Sequence, residues 1–235
     1  MQRQRLHAPA GPKTGFTLVE LLMVVLIISI LVAMLMPVVV GVMKLALIAK
    51  CQNRVGILGV GAVAYQKDNG SYPGQVDWGK TQLGPPQIIT GSALLAKALF
   101  SDPDGSNFPK SNYVQYEPGN SLFTYTVGGK NYDNVISDLW PKGQTMPICY
   151  YPARPGEVGV GMYHESDNSA FTDPKHDKTF AATITHPSLP AIPASTANPG
   201  GTPATPVKAN QFILIAPGPE RLYFSTDDLN NFSGQ

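Results

Sequence analysis

An uncharged apolar run near the N-terminus constrains this chain more than any other feature. The 23 residues from Leu21 to Met43 include no charged side chain. A helix rises about 1.5 Å per residue, so about 20 apolar residues span a hydrocarbon layer roughly 30 Å thick. Secretory signal peptides have shorter apolar cores, of about 7–15 residues, followed by a small-residue cleavage site. The run therefore predicts one membrane-spanning helix.

The residues before this run predict its orientation in the membrane. Arg3, Arg5 and Lys13 give the leader three positive charges. Positively charged flanks stay in the cytoplasm, so we expect a cytoplasmic N-terminus and an exported C-terminal part, with a single pass through the membrane. A chain of 235 residues has room for this anchor and one domain of ordinary size.

The composition limits the classes of partner and of site. A net charge of +1 offers no basic surface for nucleic acid, so none is expected as a partner. The 23 glycines and 22 prolines favour a loop-rich domain over a helical bundle. Cys51 and Cys149 permit at most one disulfide and exclude a zinc site of four thiolates. Both would be exported, where a disulfide between them could form.

Glu20 places a carboxylate at the start of the apolar run, where it needs a partner. An ionised side chain in hydrocarbon costs at least roughly 3 kcal/mol, so such a residue marks a functional site. A cut after Gly15 would leave the new α-amine of Phe16 one helical turn from Glu20. The helix dipole also favours a carboxylate near a helix N-terminus. The alternative is that Glu20 lies at the level of the lipid headgroups.

The hexapeptide GFTLVE at residues 15–20, followed by the apolar run, resembles the cleavage and methylation signal of type IV prepilins and type II secretion pseudopilins. The resemblance implies that a membrane prepilin peptidase cuts after Gly15 and that the new amine of Phe16 is methylated. It also implies that the chain leaves the membrane lipid through an inner-membrane assembly platform and packs with like subunits in a helical filament. The amine of a neighbouring subunit is then the favoured partner of Glu20.

The apolar run also predicts the first half of a long helix, over 16–67, which Asn69-Gly70 ends. Pro37 has no N–H and is expected to kink this helix. Beyond the membrane, an apolar stripe at helical spacing continues through Leu47, Cys51, Val55, Leu58, Ala62 and Tyr65, with Lys44, Lys50 and Arg54 on the polar side.

The chain thus divides into a leader peptide (1–15), a transmembrane and assembly helix (16–43), an amphipathic continuation of that helix (44–68) and an exported globular domain (69–235). The end of the helix, DNGSYP at 68–73, is similar to the same point in major pseudopilins of type II secretion. The segment 137–151 resembles the stretch before their sheet, although Pro141 and further residues interrupt the match. In it, Trp140 and Tyr150 are expected to be core and turn residues rather than ligand contacts.

The remaining patterns predict an α+β fold in which the long helix packs on a small antiparallel sheet. A short helix is expected over 92–100, and the alternation over 121–127 before Gly128-Gly129 predicts a hairpin. Further short strands are expected at 148–151, 211–216 and 221–224. Residues 156–209 look inserted relative to major pseudopilins, and 187–206 is predicted to be an irregular loop because Pro, Ala, Thr and Gly dominate it.

The C-terminus resembles the calcium loop that closes major pseudopilins. Glu220 and Asp228 fall at its acidic positions and Asp227 is adjacent, so the resemblance implies that these three residues are candidate Ca²⁺ ligands. Ca²⁺ takes six to eight oxygens from carboxylates and carbonyls. The alternative is a charged turn that Asp227 caps.

Two other patterns have weaker chemical meaning. A group of imidazoles and carboxylates has no spacing that fixes a metal geometry, so a solvated loop is expected for His164, Glu165, Asp167, Asp173, His176 and Asp177. Gly59, Gly61 and Ala64 match the outline of a dinucleotide fingerprint without the strand and helix that it requires.

The resemblance therefore favours a structural subunit of a type II secretion-like pseudopilus, and not an enzyme. A minor or adhesive type IV pilin, with the insertion as a recognition loop, is the first alternative. A membrane-anchored exported enzyme is the second, against which the chain has no G-x-S-x-G, H-E-x-x-H or P-loop motif.

Overall fold

A computed structural model describes residues 15–76, 90–100, 113–115, 122–141, 143–172, 177–185, 204–208 and 210–232. Contacts divide the chain into two compact units, Met1–Lys44 and Leu45–Gln235. Helix α1, Leu18–Asn69, contributes residues to both. The long helix predicted over 16–67 is confirmed, with each end two residues further along the chain.

In the first unit, α1 exposes apolar side chains on every side. Its most apolar 18-residue window has a mean hydropathy of 3.1 and is entirely exposed. The Ser29 hydroxyl donates to the Val25 carbonyl at 2.8 Å, so this polar group is satisfied within the helix. By length and composition, α1 is the one helix of the described residues that could cross a membrane. It continues through Pro37, and the kink there stays a prediction.

In the second unit, α1 is amphipathic, as its residue spacing predicts. The buried positions of the predicted stripe are Cys51, Val55, Leu58 and Ala62. Arg54, expected on the polar side, is instead buried, and its guanidinium lies 5.6 Å from the centre of the Phe100 ring. A guanidinium can be buried against an aromatic face because the ring quadrupole attracts the cation.

The end of α1 follows the predicted stop signal. The Gly70 N–H donates to the Gln66 carbonyl at 2.8 Å, and Gly70 has a φ of 79°. A left-handed residue after the last helical turn satisfies the free carbonyls of that turn and is most readily a glycine. Gly59, Gly61 and Ala64 lie inside α1, so the strand–turn–helix context of a dinucleotide fingerprint is missing.

The second unit adds short elements to α1, and the predicted α+β class is confirmed. Helix α2 spans Gly91–Leu99, and the Thr90 hydroxyl caps it by accepting from the Ala93 N–H at 3.3 Å. The five strands of the described residues are β1 (Leu122–Val127), β2 (Lys130–Ile136), β3 (Cys149–Pro152), β4 (Phe212–Ala216) and β5 (Leu229–Asn230). They form two antiparallel sheets, the β1–β2 hairpin and β3–β4–β5, where one was expected.

The β3–β4–β5 sheet is covered on both faces. Every residue of β3 and β4 is buried. Residues facing the layer of α1 and α2 include Tyr150, Phe212, Leu214 and Ala216. The residues between them face a second apolar cluster and include Cys149, Tyr151, Ile213 and Ile215. Successive side chains of a strand point to opposite faces, so a run buried at every position requires two covering layers.

The second covering layer comes partly from the segment predicted to be an insertion. It contains 3₁₀ turns at Gly159–Met162 and Glu165–Asp167, helix α3 (Ser169–Thr172) and helix α4 (Phe180–Ile184). Its buried apolar residues in the second cluster are Met162, Tyr163, Phe171, Phe180 and Ile184. The described part of 156–209 therefore contributes five side chains to the core. Most of the tract at 187–206 lies outside the described residues.

The strand predicted over 221–224 is wrong. Arg221 and Phe224 have φ values of 59° and 58°, in the left-handed region rather than the extended one, and no strand of the described residues includes them. The segment is a turn, and Tyr223 and Phe224 fill the second apolar cluster. The segment contains hydrophobic residues because they are buried in this cluster. The last strand, β5, begins at Leu229.

The disulfide considered between Cys51 and Cys149 is not formed. Both thiols are free and buried. Cys51 lies in the apolar cluster around α1 and α2, whereas Cys149 lies in the cluster on the opposite face of the sheet. Burial raises the pKa of the Cys51 thiol to about 12 and also raises that of Cys149. Both cysteines therefore behave as small apolar core residues.

Candidate functional site

The junction between Gly15 and Phe16 is the most exposed candidate site. Residues 15–17 have no regular secondary structure, and α1 begins at Leu18. Phe16 is 81% exposed, and a Cβ added at Gly15 would meet no atom within 4 Å. The peptide bond between these residues is therefore open to a protein that approaches it from outside.

The side chains of Thr17 and Glu20 form a capping box at the first turn of α1. The Thr17 N–H and hydroxyl both donate to Glu20 Oε2, at 2.8 and 2.9 Å. The Glu20 N–H in turn donates to the Thr17 hydroxyl oxygen at 3.3 Å. These bonds satisfy backbone donors that have no partner inside the helix. The carboxylate of Glu20 thus has an intramolecular partner before any new amine exists.

The spacing Thr-x-x-Glu in residues 17–20 is the sequence signal for this box, which was not among the partners expected for Glu20. The two arrangements are compatible, because a carboxylate has two oxygens that each accept more than one hydrogen bond. Oε2 holds the Thr17 donors, and no bond to Oε1 occurs among the described residues. A cationic amine can therefore approach Glu20 without disrupting the cap.

This geometry agrees with a match found in a comparison with known protein families. Residues 12–36 match the family model of the prokaryotic N-terminal methylation motif. The N-terminal methylation motif marks type IV pilin-like chains that a prepilin peptidase processes and that assemble into filaments. Together with the long apolar helix it is consistent with membrane anchoring. No curated protein and no solved structure matches the chain.

The calcium ligands predicted at Glu220, Asp227 and Asp228 lie in the C-terminal turn, where hydrogen bonds connect them to the surrounding chain. Asp227 Oδ2 accepts from the Glu220 N–H at 2.9 Å, and its other oxygen accepts from the Ser225 hydroxyl. Asp227 thus caps the turn, which was the alternative interpretation. In the part of the chain that the structure describes, no three His, Cys, Asp or Glu side chains are grouped to hold a metal ion.

Asp228 differs from its neighbours because it is buried, with 9% of its surface exposed. Oδ1 lies 3.2 Å from the Ser225 hydroxyl, while Oδ2 has no hydrogen-bond partner among the described residues. Burial raises the pKa of Asp228 to about 7, against the opposing effect of the Ser225 hydrogen bond. Burial therefore favours the protonated form of Asp228 in this structure.

Two members of the second predicted group of acids and imidazoles contact polar side chains from outside the group. Asp167, expected in a solvated loop, is buried and accepts two bonds from Arg154 at 2.7 and 2.9 Å. Burial raises the pKa of Asp167 to about 7, and the Arg154 guanidinium opposes this rise. His164 Nε2 lies 2.9 Å from an oxygen of Glu157 at the surface. Glu165 lies in a 3₁₀ turn and the Asp177 N–H bonds the Tyr223 carbonyl, whereas Asp173 and His176 lie outside the described residues.

Trp140 and Tyr150 are core residues, as predicted. The Tyr150 hydroxyl donates to the Pro73 carbonyl at 2.9 Å and joins the sheet to the turn after α1. The Trp140 ring packs beneath the guanidinium of Arg221, whose carbon lies 4.8 Å from the ring centre.

Proposed function

We propose that this chain is a pseudopilin, a structural subunit of the pseudopilus in a type II secretion-like machine. The observation that carries the proposal is the exposed Gly15–Phe16 bond directly before a capped helix whose first part is apolar and exposed. A peptidase in the membrane needs such an open bond, and a filament core needs such an apolar helix. The likeness of residues 68–73 to major pseudopilins is the support for secretion over other filaments.

The processing steps follow from these residues. Prepilin peptidase cuts after Gly15 on the cytoplasmic side and removes residues 1–15. The free amine of Phe16 is then methylated, and the helix holds the subunit in the inner membrane with its domain exported. On assembly at an inner-membrane platform, Glu20 pairs with the Phe16 amine of a neighbouring subunit, because apolar surroundings strengthen the attraction between opposite charges. Pro37 lets the helix bend where it packs among its neighbours.

The test is co-expression of the full chain with and without a prepilin peptidase, followed by intact-mass measurement. We expect loss of the mass of residues 1–15 and gain of one methyl group on Phe16. Gly15→Val should block the cut, because a branched side chain occupies the open space at that position, while Gly41→Val, in the membrane segment, should be processed normally. An uncut wild-type chain would overturn the proposal.

A minor or adhesive type IV pilin is the alternative within the same processing class. Deleting the gene for this chain in its host distinguishes the two functions. Loss of protein secretion with intact adhesion supports the pseudopilin, and loss of adhesion alone supports the pilin. Met162, Phe171 and Phe180 of the insertion are buried in the second apolar cluster, so these three side chains are not available for recognition of a partner.

A further inference from the structure

Arg221 lies at the centre of the C-terminal turn, and its guanidinium is surrounded by oxygens. Its Nη1 donates to the Pro217 carbonyl at 3.1 Å and lies 3.5 Å from the Gly218 carbonyl. Its Nη2 contacts Asp138 Oδ2 at 2.5 Å and the Gln144 carbonyl. One carboxylate and three carbonyls therefore converge on a single cation, which is the kind of donor set that a calcium ion gathers.

These oxygens come from two separate parts of the chain. Pro217 and Gly218 follow strand β4, whereas Asp138 and Gln144 belong to the connection between β2 and β3. The guanidinium stacks on Trp140 of the same connection. Arg221 therefore links the C-terminal turn to the β2–β3 connection. Arg221 and Asp138 are 83 positions apart in the sequence.

Asp138 is positioned to pair with the Arg221 guanidinium. The side chain of Asp138 is completely buried, while that of Arg221 is 18% exposed. Its Oδ1 accepts from the N–H groups of Met146 and Trp140, at 3.1 and 3.3 Å, which leaves Oδ2 for Arg221. Burial raises the pKa of Asp138 and the Arg221 guanidinium opposes this rise. Without the guanidinium, a buried carboxylate would be left without a counter-charge, which is strongly unfavourable.

The backbone of the turn is held in an unfavourable conformation around this contact. Arg221 has a φ of 59°, in the left-handed region that a side chain rarely adopts. Close packing fixes the same turn at Gly218, where an added Cβ would lie 2.1 Å from the Asp227 carbonyl oxygen. Such backbone strain persists only where surrounding contacts determine it. In this turn, those contacts are the hydrogen bonds of the Arg221 guanidinium and the close approach of Gly218 to Asp227.

We propose that the guanidinium of Arg221 closes the C-terminal turn of this chain in place of the calcium ion that its likeness to major pseudopilins implies. The planar guanidinium presents several fixed donors, so it can bridge a carboxylate and carbonyls at once. The acidic residues of the turn are then released from metal binding: Asp227 caps Glu220, and Asp228 is buried as a packing residue. The folded domain is thereby independent of divalent cations.

The first test uses the full chain in detergent micelles, with millimolar Ca²⁺ or with EGTA. We expect the melting temperature to differ by less than about 1 °C, because a ligand that does not bind the folded state cannot stabilise it. Amide hydrogen exchange at Glu220 and Arg221, whose N–H groups bond Asp227 and Gly218, should also be the same in both conditions. A rise in melting temperature, or slower exchange at these amides, with Ca²⁺ would overturn the proposal.

The second test compares Arg221→Gln and Arg221→Lys with the wild type. In both variants, amide hydrogen exchange at positions 220 and 221 should become faster. The glutamine variant should also lower the melting temperature by about 6 °C or more. Arg154→Gln is the matched control, since it breaks another buried Arg–Asp pair away from this turn. It should destabilise the chain without selective exchange in the turn. Unchanged exchange in both Arg221 variants would contradict the assignment, and the calcium comparison on the wild type stands even if a variant fails to fold.

Discussion

Glu20 has a hydrogen-bonding partner at the start of its own helix. Its Oε2 accepts two bonds from Thr17, while the Glu20 N–H bonds back to the Thr17 hydroxyl. These neutral donors reduce the cost of a carboxylate in apolar surroundings before cleavage. They also fix the side chain beside the position where the Phe16 amine would arise. Thr17 is accordingly a positioning residue for Glu20.

Thr17→Val removes the hydroxyl while keeping the shape of the side chain. We expect amide hydrogen exchange at Glu20 and Leu21 to become about fivefold faster in micelles, since losing an N-cap costs about 1 kcal/mol. Thr17→Ser keeps the hydroxyl and should exchange like the wild type. Equal exchange in the valine and serine variants would mean that the box does not stabilise the first turn.

Asp228 gives the stability of the chain a pH dependence of defined sign. Burial raises its pKa from the ordinary 3.8 to about 7, so the unfolded chain ionises first as pH rises. The stability that Asp228 supports is therefore fully present below about pH 4, falls between about pH 4 and 7, and is constant above. Asp228→Asn removes this dependence.

In urea unfolding of the full chain, the free energy of unfolding of Asp228→Asn should rise relative to that of the wild type as the pH increases across that window. The difference should reach on the order of 2 to 4 kcal/mol at pH 8. Glu220→Gln, at an exposed position of the same turn, should show no such trend. Parallel pH profiles for the wild type and Asp228→Asn would contradict the burial argument.

At the scale of elements, helix α2 is fixed by its closest approach to strand β3. An added Cβ at Gly91 would lie 1.9 Å from the Tyr150 carbonyl oxygen. The Asn168 side chain completes the junction, since its Nδ2 donates to that carbonyl at 2.8 Å and its Oδ1 accepts from the Ser92 N–H at 3.2 Å. The helix can approach the sheet this closely only because its first residue has no side chain.

Gly91→Ala should therefore push α2 off the sheet and lower the free energy of unfolding by about 2 kcal/mol or more. Gly56→Ala is the matched control, because that helical glycine faces open space. It should instead raise the free energy of unfolding by up to about 1 kcal/mol, through higher helix propensity. Urea midpoints of the two variants measure this contrast, and a shift of the same sign in both would refute it.

At the scale of the whole molecule, each of the two units has its own requirement. In the unit that ends at Lys44, every residue that the structure describes is exposed. The unit that begins at Leu45 has a sheet enclosed between two apolar layers. The first unit requires lipid or other subunits to cover it, whereas the second buries its own apolar residues.

Glu20→Ala tests this division of roles. Membrane insertion and cleavage after Gly15 should be intact, because the variant makes the helix more apolar. Incorporation into sheared filaments should fall by more than about tenfold, since an amine left without its counter-charge in apolar surroundings is costly. Glu20→Asp, which keeps the charge, should recover part of the yield. Normal filament yield from the alanine variant would rule out the pairing of Glu20 with a neighbouring amine.

The local patterns of the sequence determined the helix and the N-terminal motif. The uncharged run, the stripe at helical spacing and Asn69-Gly70 fix α1 to within two residues, because hydrophobic periodicity and helix stops depend on neighbours in sequence. The hairpin at Gly128-Gly129 and the strands around 149–152 and 212–216 follow for the same reason.

Contacts between distant residues were decided only by the tertiary structure. The apolar residues at 221–224 predict a strand, but Tyr223 and Phe224 belong to a turn and are buried in a core cluster. The contact between Arg221 and Asp138 fixes the shape of that turn. Likewise the segment after residue 156 covers the second face of the sheet, and the two cysteines lie on opposite faces. These outcomes depend on which surfaces meet in space, so a single sequence predicts the elements of this protein but not how its far-apart residues pair.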